Sequence, residues 1–84
     1  MEPVFPLDLE LPARGAGRIA RALHQQLRSA IVEGRLTAGF TLPSTRRAAE
    51  ALGIGRNTAV AAYDLLVAEG YVSPRPGAKA VVAE

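Results

Sequence analysis

Hydrophobic positions change period twice along this chain, and each period marks a different kind of element. Phe5, Leu7, Leu9 and Leu11 alternate with Pro6, Asp8 and Glu10, the two-residue period of a strand with one apolar face. Pro6 and Pro12 withhold amide donors, so residues 1–16 predict an extended N-terminal arm, with at most a short edge strand in it. From Arg18 the period lengthens: Ile19, Leu23, Leu27 and Ile31 recur every four residues, flanked by Ala20 and Ala30. That is an amphipathic helix over about 17–33, stopped at Gly34, whose missing Cβ suits a left-handed cap.

The connector from Arg35 to Leu42 has room for a turn and a residue or two of strand. Pro43-Ser44 then signals a second helix, because a Ser hydroxyl can accept an orphan amide of the first turn. Arg47 stands where a capping box needs Glu or Gln. Ala48, Ala51 and Leu52 form a narrow stripe of mostly small residues that permits a close helix crossing. Gly53-Ile54-Gly55 is a tight corner. A third helix over about 56–69 follows, with Ala59, Ala62, Tyr63 and Leu66 facing inward and Gly70 ending it. Tyr71 to Glu84 alternates weakly around Ser73-Pro74-Arg75-Pro76-Gly77-Ala78, which reads as two short strands joined by a turn. The expected fold is mainly α with a small β-wing: a winged helix-turn-helix of three helices plus a two-stranded hairpin, spanning 17–84.

Two helices joined by three residues, the second opening with polar side chains, match a motif whose second helix enters the DNA major groove by its N-terminal end. Arg56, Asn57, Val60, Ala61 and Asp64 lie away from the apolar face of that helix, with Thr58 at its margin. Arg can pair bidentately with guanine, Asn with adenine, and a Val or Thr methyl can touch a thymine methyl. Ser44, Thr45, Arg46 and Arg47 open the second helix, where free amides and the positive helix end favour an anion. Cations are locally unfavourable there, so they point to an external anionic partner. Arg47 is the better candidate to pair instead with Glu50. At the hairpin tip, Arg75 and Lys79 bracket Gly77, which permits close backbone approach to a phosphate chain.

Charge strengthens this reading. The 84 residues carry a net +2, but from Leu11 onward the balance is +5, and nine of the ten cations are Arg. Arg suits phosphates and guanine edges better than an ammonium does. The chain has no cysteine, which excludes disulfides and thiolate zinc sites. It has no basic leader and no apolar run near the roughly 20 residues of a membrane span, so a cytoplasmic protein is expected. Enzymatic readings find no support: His24 is the only histidine, and Gly53-Ile54-Gly55 neither follows a strand nor supplies a third glycine.

Gly34-Arg35-Leu36, Leu42-Pro43-Ser44-Thr45-Arg46, Leu52-Gly53-Ile54, Arg56-Asn57-Thr58, Ala62-Tyr63, Ala68-Glu69-Gly70-Tyr71 and Arg75-Pro76-Gly77 together resemble the winged-helix domain of GntR-type bacterial transcription regulators. The Arg-Asn-Thr to Ala-Tyr stretch followed by Glu-Gly-Tyr is similar to the MocR (PdxR/GabR-like) branch. The resemblance implies contacts to double-stranded DNA from Arg46, from Arg56, Asn57 and Thr58, and from the wing around Gly77. This chain departs from the family pattern at Gly55, usually Ser or Thr, at Lys79, usually a second glycine, and at Val81, usually aromatic. MocR-like regulators resemble a fusion of such a domain to a large C-terminal aminotransferase-like domain that binds pyridoxal phosphate. No cofactor is expected in this chain, and Lys79, its only lysine, belongs to the wing. The chain is expected to be either an excised domain or a naturally short regulator, with its end just after the last wing strand favouring excision; the fragment is expected to be a monomer or weak dimer and the full-length protein a homodimer. The rival is a winged-helix protein-protein interaction module, using the same surfaces to bind a protein, with the apolar Phe5 to Leu11 arm free to pair with a partner.

Overall fold

The computed structural model describes residues 5, 8–76 and 79–83. Its elements run α1 (Ala16–Val32), β1 (Thr41–Leu42), α2 (Thr45–Leu52), α3 (Arg56–Ala68), β2 (Val72–Arg75) and β3 (Lys79–Val82). The three helices enclose one core, which the small sheet closes on one side.

α1 buries Ala20, Leu23, Leu27 and Ala30 and exposes the opposite face. Its last turn closes at Gly34, φ +82°, where the Arg35 amide reaches back to the Ala30 carbonyl at 2.8 Å. A residue with a Cβ would be strained in that left-handed conformation. α3 buries Thr58, Ala59, Ala62, Tyr63 and Leu66, so the inward face read from its spacing is the one observed. Leu23, Leu27, Leu36, Leu42 and Leu66 are completely or almost completely excluded from solvent. Each such side chain stabilises the fold by about 1.5–3 kcal/mol relative to exposure.

The expected two-stranded hairpin is formed by β2 and β3, and the sheet extends beyond it. β1 adds to it, giving three antiparallel strands in the order β1-β3-β2. Thr41 pairs with Val81 and Leu42 with Ala80, while β2 runs from Val72 opposite Val82 to Arg75 opposite Lys79. Two further backbone bonds, Gly39 N to Val82 O and Val82 N to Phe40 O, each 2.9 Å, extend the β1 junction. A two-residue strand carries too little pattern to reveal its partner, which lies some forty residues further along the chain.

α2 also turns differently. Of the predicted stripe, Ala48 is buried and Leu52 packs against the core, but Ala51 is exposed and Ala49 takes its place, because Thr45, Ala48 and Ala49 form the buried face. Small side chains allow the close approach whichever neighbour they serve. The arm, in turn, folds back on the molecule. Phe5 lies 2% exposed in the core, with Leu9 and Leu11 packed against it. Gln26 of α1 grips the backbone of Glu10 twice, accepting from its amide at 2.8 Å and donating to its carbonyl at 2.6 Å. No strand forms at residues 8–12, and Leu7 lies outside the described residues.

Candidate nucleic-acid interface

The helix-turn-helix is assembled by local signals. Ser44 caps α2 by accepting the Arg47 amide at 3.2 Å. Gly53, at φ +68°, ends α2 in the left-handed region and lets Ile54 N return to Ala49 O at 3.1 Å. The chain thereby reverses within three residues and α3 begins at Arg56. The cap position of α3 is Gly55, and no side chain bonds its first amides.

α3 is held by a tether from its middle. The Tyr63 hydroxyl donates to the Pro43 carbonyl at 2.6 Å, joining α3 to the residue before the α2 cap. Burial pushes the Tyr63 phenol well above its ordinary pKa, because the anion would lose its hydration. Spacing identified Tyr63 only as an inward residue. A Tyr on an apolar stripe nonetheless implies a partner for its hydroxyl, a signal available in the sequence.

Arg56 and Asn57 are exposed at the start of α3, and Val60 is partly exposed one turn on. Thr58 differs from expectation: it is 8% exposed, and its side chain lies on the same inward side as Ala62. Thr45 is corrected likewise. At 4% exposure it belongs to the buried face of α2, and among the described residues its hydroxyl has no hydrogen-bond partner. Both threonines therefore support the surface from beneath. Arg46 and Arg47 are exposed, but it is Arg46 that approaches Glu50, at 3.7 Å, the pairing expected of Arg47. Both partners are largely exposed, and a solvated pair of this kind contributes little.

A cleft of about 210 Å³ lies between α3 and the wing. Arg56 and Asp64 border it from α3, Arg75 from the end of β2 and Lys79 from the start of β3, with Thr45, Val60 and Tyr63 among its lining. Cations distant in sequence thus converge on one opening. Asp64, on the outer side of α3, is set by the fold among these cations. Gly77 lies outside the described residues. His24, the other singled-out polar residue, is committed elsewhere, at 2.5 Å from Glu69 at the α3 C-terminus. Among the described residues no three His, Cys, Asp or Glu side chains form a metal-binding group, and no helix is long and apolar enough to cross a membrane.

Three helices, a tight corner and a small sheet bordering the second motif helix define a winged helix-turn-helix, the architecture of a DNA-binding domain. The sequence pattern of the gntR family of bacterial regulatory proteins matches residues 19–82, and the chain belongs to that family. Over 63 residues it is 48% identical to the probable rhizopine catabolism regulatory protein MocR of Rhizobium meliloti, covering 75% of this chain and 13% of that protein. It is 42% identical over 59 residues to the pyridoxine biosynthesis transcriptional regulator PdxR of Corynebacterium glutamicum, covering 70% and 13% respectively. YtrA from Sulfolobus acidocaldarius, a GntR-family transcription factor, superposes with a TM-score of 0.80 at 29% identity, over 90% of this chain and 80% of that one. This chain is thus a GntR-type DNA-binding domain of a transcription regulator, and it spans about an eighth of the length of the curated relatives it matches.

Proposed function

We propose that the domain reads a specific duplex sequence with the N-terminal turn of α3 in the major groove. In this reading Arg56 and Asn57 contact base edges and Val60 touches a thymine methyl. Ser44, Arg46 and Arg47 at the start of α2 hold a phosphate of the flanking strand. Arg75 and Lys79 follow the backbone beside the groove. The observation that carries the proposal is the convergence of Arg56, Arg75 and Lys79 on one cleft beside an exposed helix start. The arm-mediated protein-interaction reading loses its surface, since Phe5 is spent on the core. The proposed role is binding and not catalysis, in the cytoplasm, with no cofactor in this chain. Pyridoxal phosphate and homodimerisation are assigned to the larger part of a MocR-like whole protein.

The test is a mobility-shift titration, across salt, of a duplex selected from a random pool. Log affinity should fall linearly with log salt, and Arg46→Ala should reduce the slope by about 0.9, the value for one lost phosphate contact. An unchanged slope with loss at a single base pair would move Arg46 to base reading. Salt-independent binding would overturn the interface altogether.

A further inference from the structure

The outer face of α1 takes no part in the interface above, yet it carries a row of cations with no acid on its helix. Arg18, Arg21, Gln25 and Arg28 follow one another at three- and four-residue spacing, and all are exposed. Arg14 precedes them by four residues, and Val32 continues the row at its far end, 67% exposed. The row lies opposite the buried Ala20, Leu23, Leu27 and Ala30. None of the four arginines has a carboxylate within ion-pair distance among the described residues, and α1 contains no Asp or Glu.

This arrangement is unfavourable for the isolated helix. Like charges three and four residues apart repel. Arg18 sits in the first turn, where the positive helix end opposes a cation. The N-cap, Gly15, offers no side chain to relieve it, and Arg18 folds back to donate to the Arg14 carbonyl at 3.2 Å. A face that costs the fold something and repays nothing within it calls for an anionic partner.

Two observations make that partner a protein and not a second stretch of DNA. First, the row lies about a helix diameter, roughly 10 Å, from the buried side of α1, and no residue of α1 borders the cleft between α3 and the wing. Second, the row runs into an open hollow of about 620 Å³ whose lining includes Ile31, Val32, Leu36, Tyr71 and Val82, with one carboxylate at its edge, Glu69, which is held by His24. A sugar-phosphate backbone has nothing apolar to place there. We infer that the outer face of α1 docks an acidic amphipathic helix of a partner protein, with carboxylates at helical spacing against Arg14 to Arg28 and one large apolar side chain in the hollow beside Val32. Charge complementarity orients the helix and the apolar anchor sets its register.

The probe is a labelled helical peptide of about 18 residues, long enough to span the roughly 21 Å from Arg18 to Val32. It carries Glu at three- and four-residue spacing and a Leu at the end that meets Val32. Fluorescence anisotropy with the 84-residue chain should show saturable binding, and amide shifts should concentrate on α1 and on Leu36 and Tyr71. Arg21→Gln with Arg28→Gln should weaken the peptide about tenfold, and Val32→Asn several-fold. Affinity for the selected duplex should change by no more than about twofold near physiological salt, where the Debye length is about 8 Å. Equal binding of a scrambled peptide of the same composition would reduce the face to nonspecific charge and overturn the proposal. So would no saturable binding, indifference to the Arg substitutions, or duplex DNA shifting the α1 amides in place of the peptide.

Discussion

The two helices of the helix-turn-helix meet at one corner but are defined by opposite means. α2 is eight residues long, sealed by the Ser44 hydroxyl at one end and by the left-handed Gly53 at the other, and it buries only Thr45, Ala48 and Ala49. α3 is thirteen residues long, follows the cap position Gly55 with no side-chain cap, and buries Tyr63 and Leu66 together with three smaller side chains. A short helix with little to bury needs its ends closed, since nucleation is costly and each cap removes an orphan polar group. A helix anchored by large buried side chains does not. Its first turn is then left open, with polar residues exposed, which is what a surface that must meet another molecule requires.

The largest effect should come from removing the anchor of α3. Leu66→Ala should destabilise the domain by about 2–5 kcal/mol, because a fully buried leucine leaves a cavity that a tightly packed core only partly closes. Chemical denaturation measures it, and a loss well under 1 kcal/mol would mean that α3 is not held by burial.

Next in size is a loss of recognition without a loss of fold. Arg56→Ala should lower affinity for the selected duplex by about 1–3 kcal/mol while leaving the unfolding midpoint in place, as the side chain is exposed. Titration against the preferred and a single-substituted duplex checks both affinity and discrimination. Parent-like binding would remove the α3 start from the reading surface.

The capped helix should answer differently. Ser44→Ala should cost about 1 kcal/mol of stability by orphaning the Arg47 amide, with a modest and uniform loss of DNA affinity. A selective loss at one base pair would show that Ser44 reads sequence.

The smallest effect sharpens the contrast most. Gly55 has φ −68° and ψ 146°, a conformation open to any residue, and a Cβ there would meet only Thr58 Oγ1, at 3.5 Å, an ordinary contact. Gly55→Ser should therefore stabilise α3 by a few tenths of a kcal/mol, Ser and Gly caps differing by about that much. If thermal unfolding showed a gain as large as that lost at Ser44, α3 would depend on its ends as α2 does.

What the sequence by itself determined was local. The ends of α1 and α2 followed from Gly34, Ser44 and Gly53, and the inward face of α3 followed from the spacing of Ala59, Ala62, Tyr63 and Leu66, because a long helix repeats its pattern over several turns. The exposed pair Arg56 and Asn57 came from the same periodicity. Only the tertiary structure decided which side of α2 lies inward: two turns of small residues offer several nearly equivalent stripes, and the position of α3 selected Thr45, Ala48 and Ala49. That choice buried Thr45 and left Arg46 to meet Glu50. The seating of Phe5 in the core, the pairing of β1 with β3 and the meeting of Arg56 with Arg75 and Lys79 were likewise tertiary. Each joins residues far apart in the chain, and a one-dimensional pattern carries the period of an element but not the identity of what it packs against.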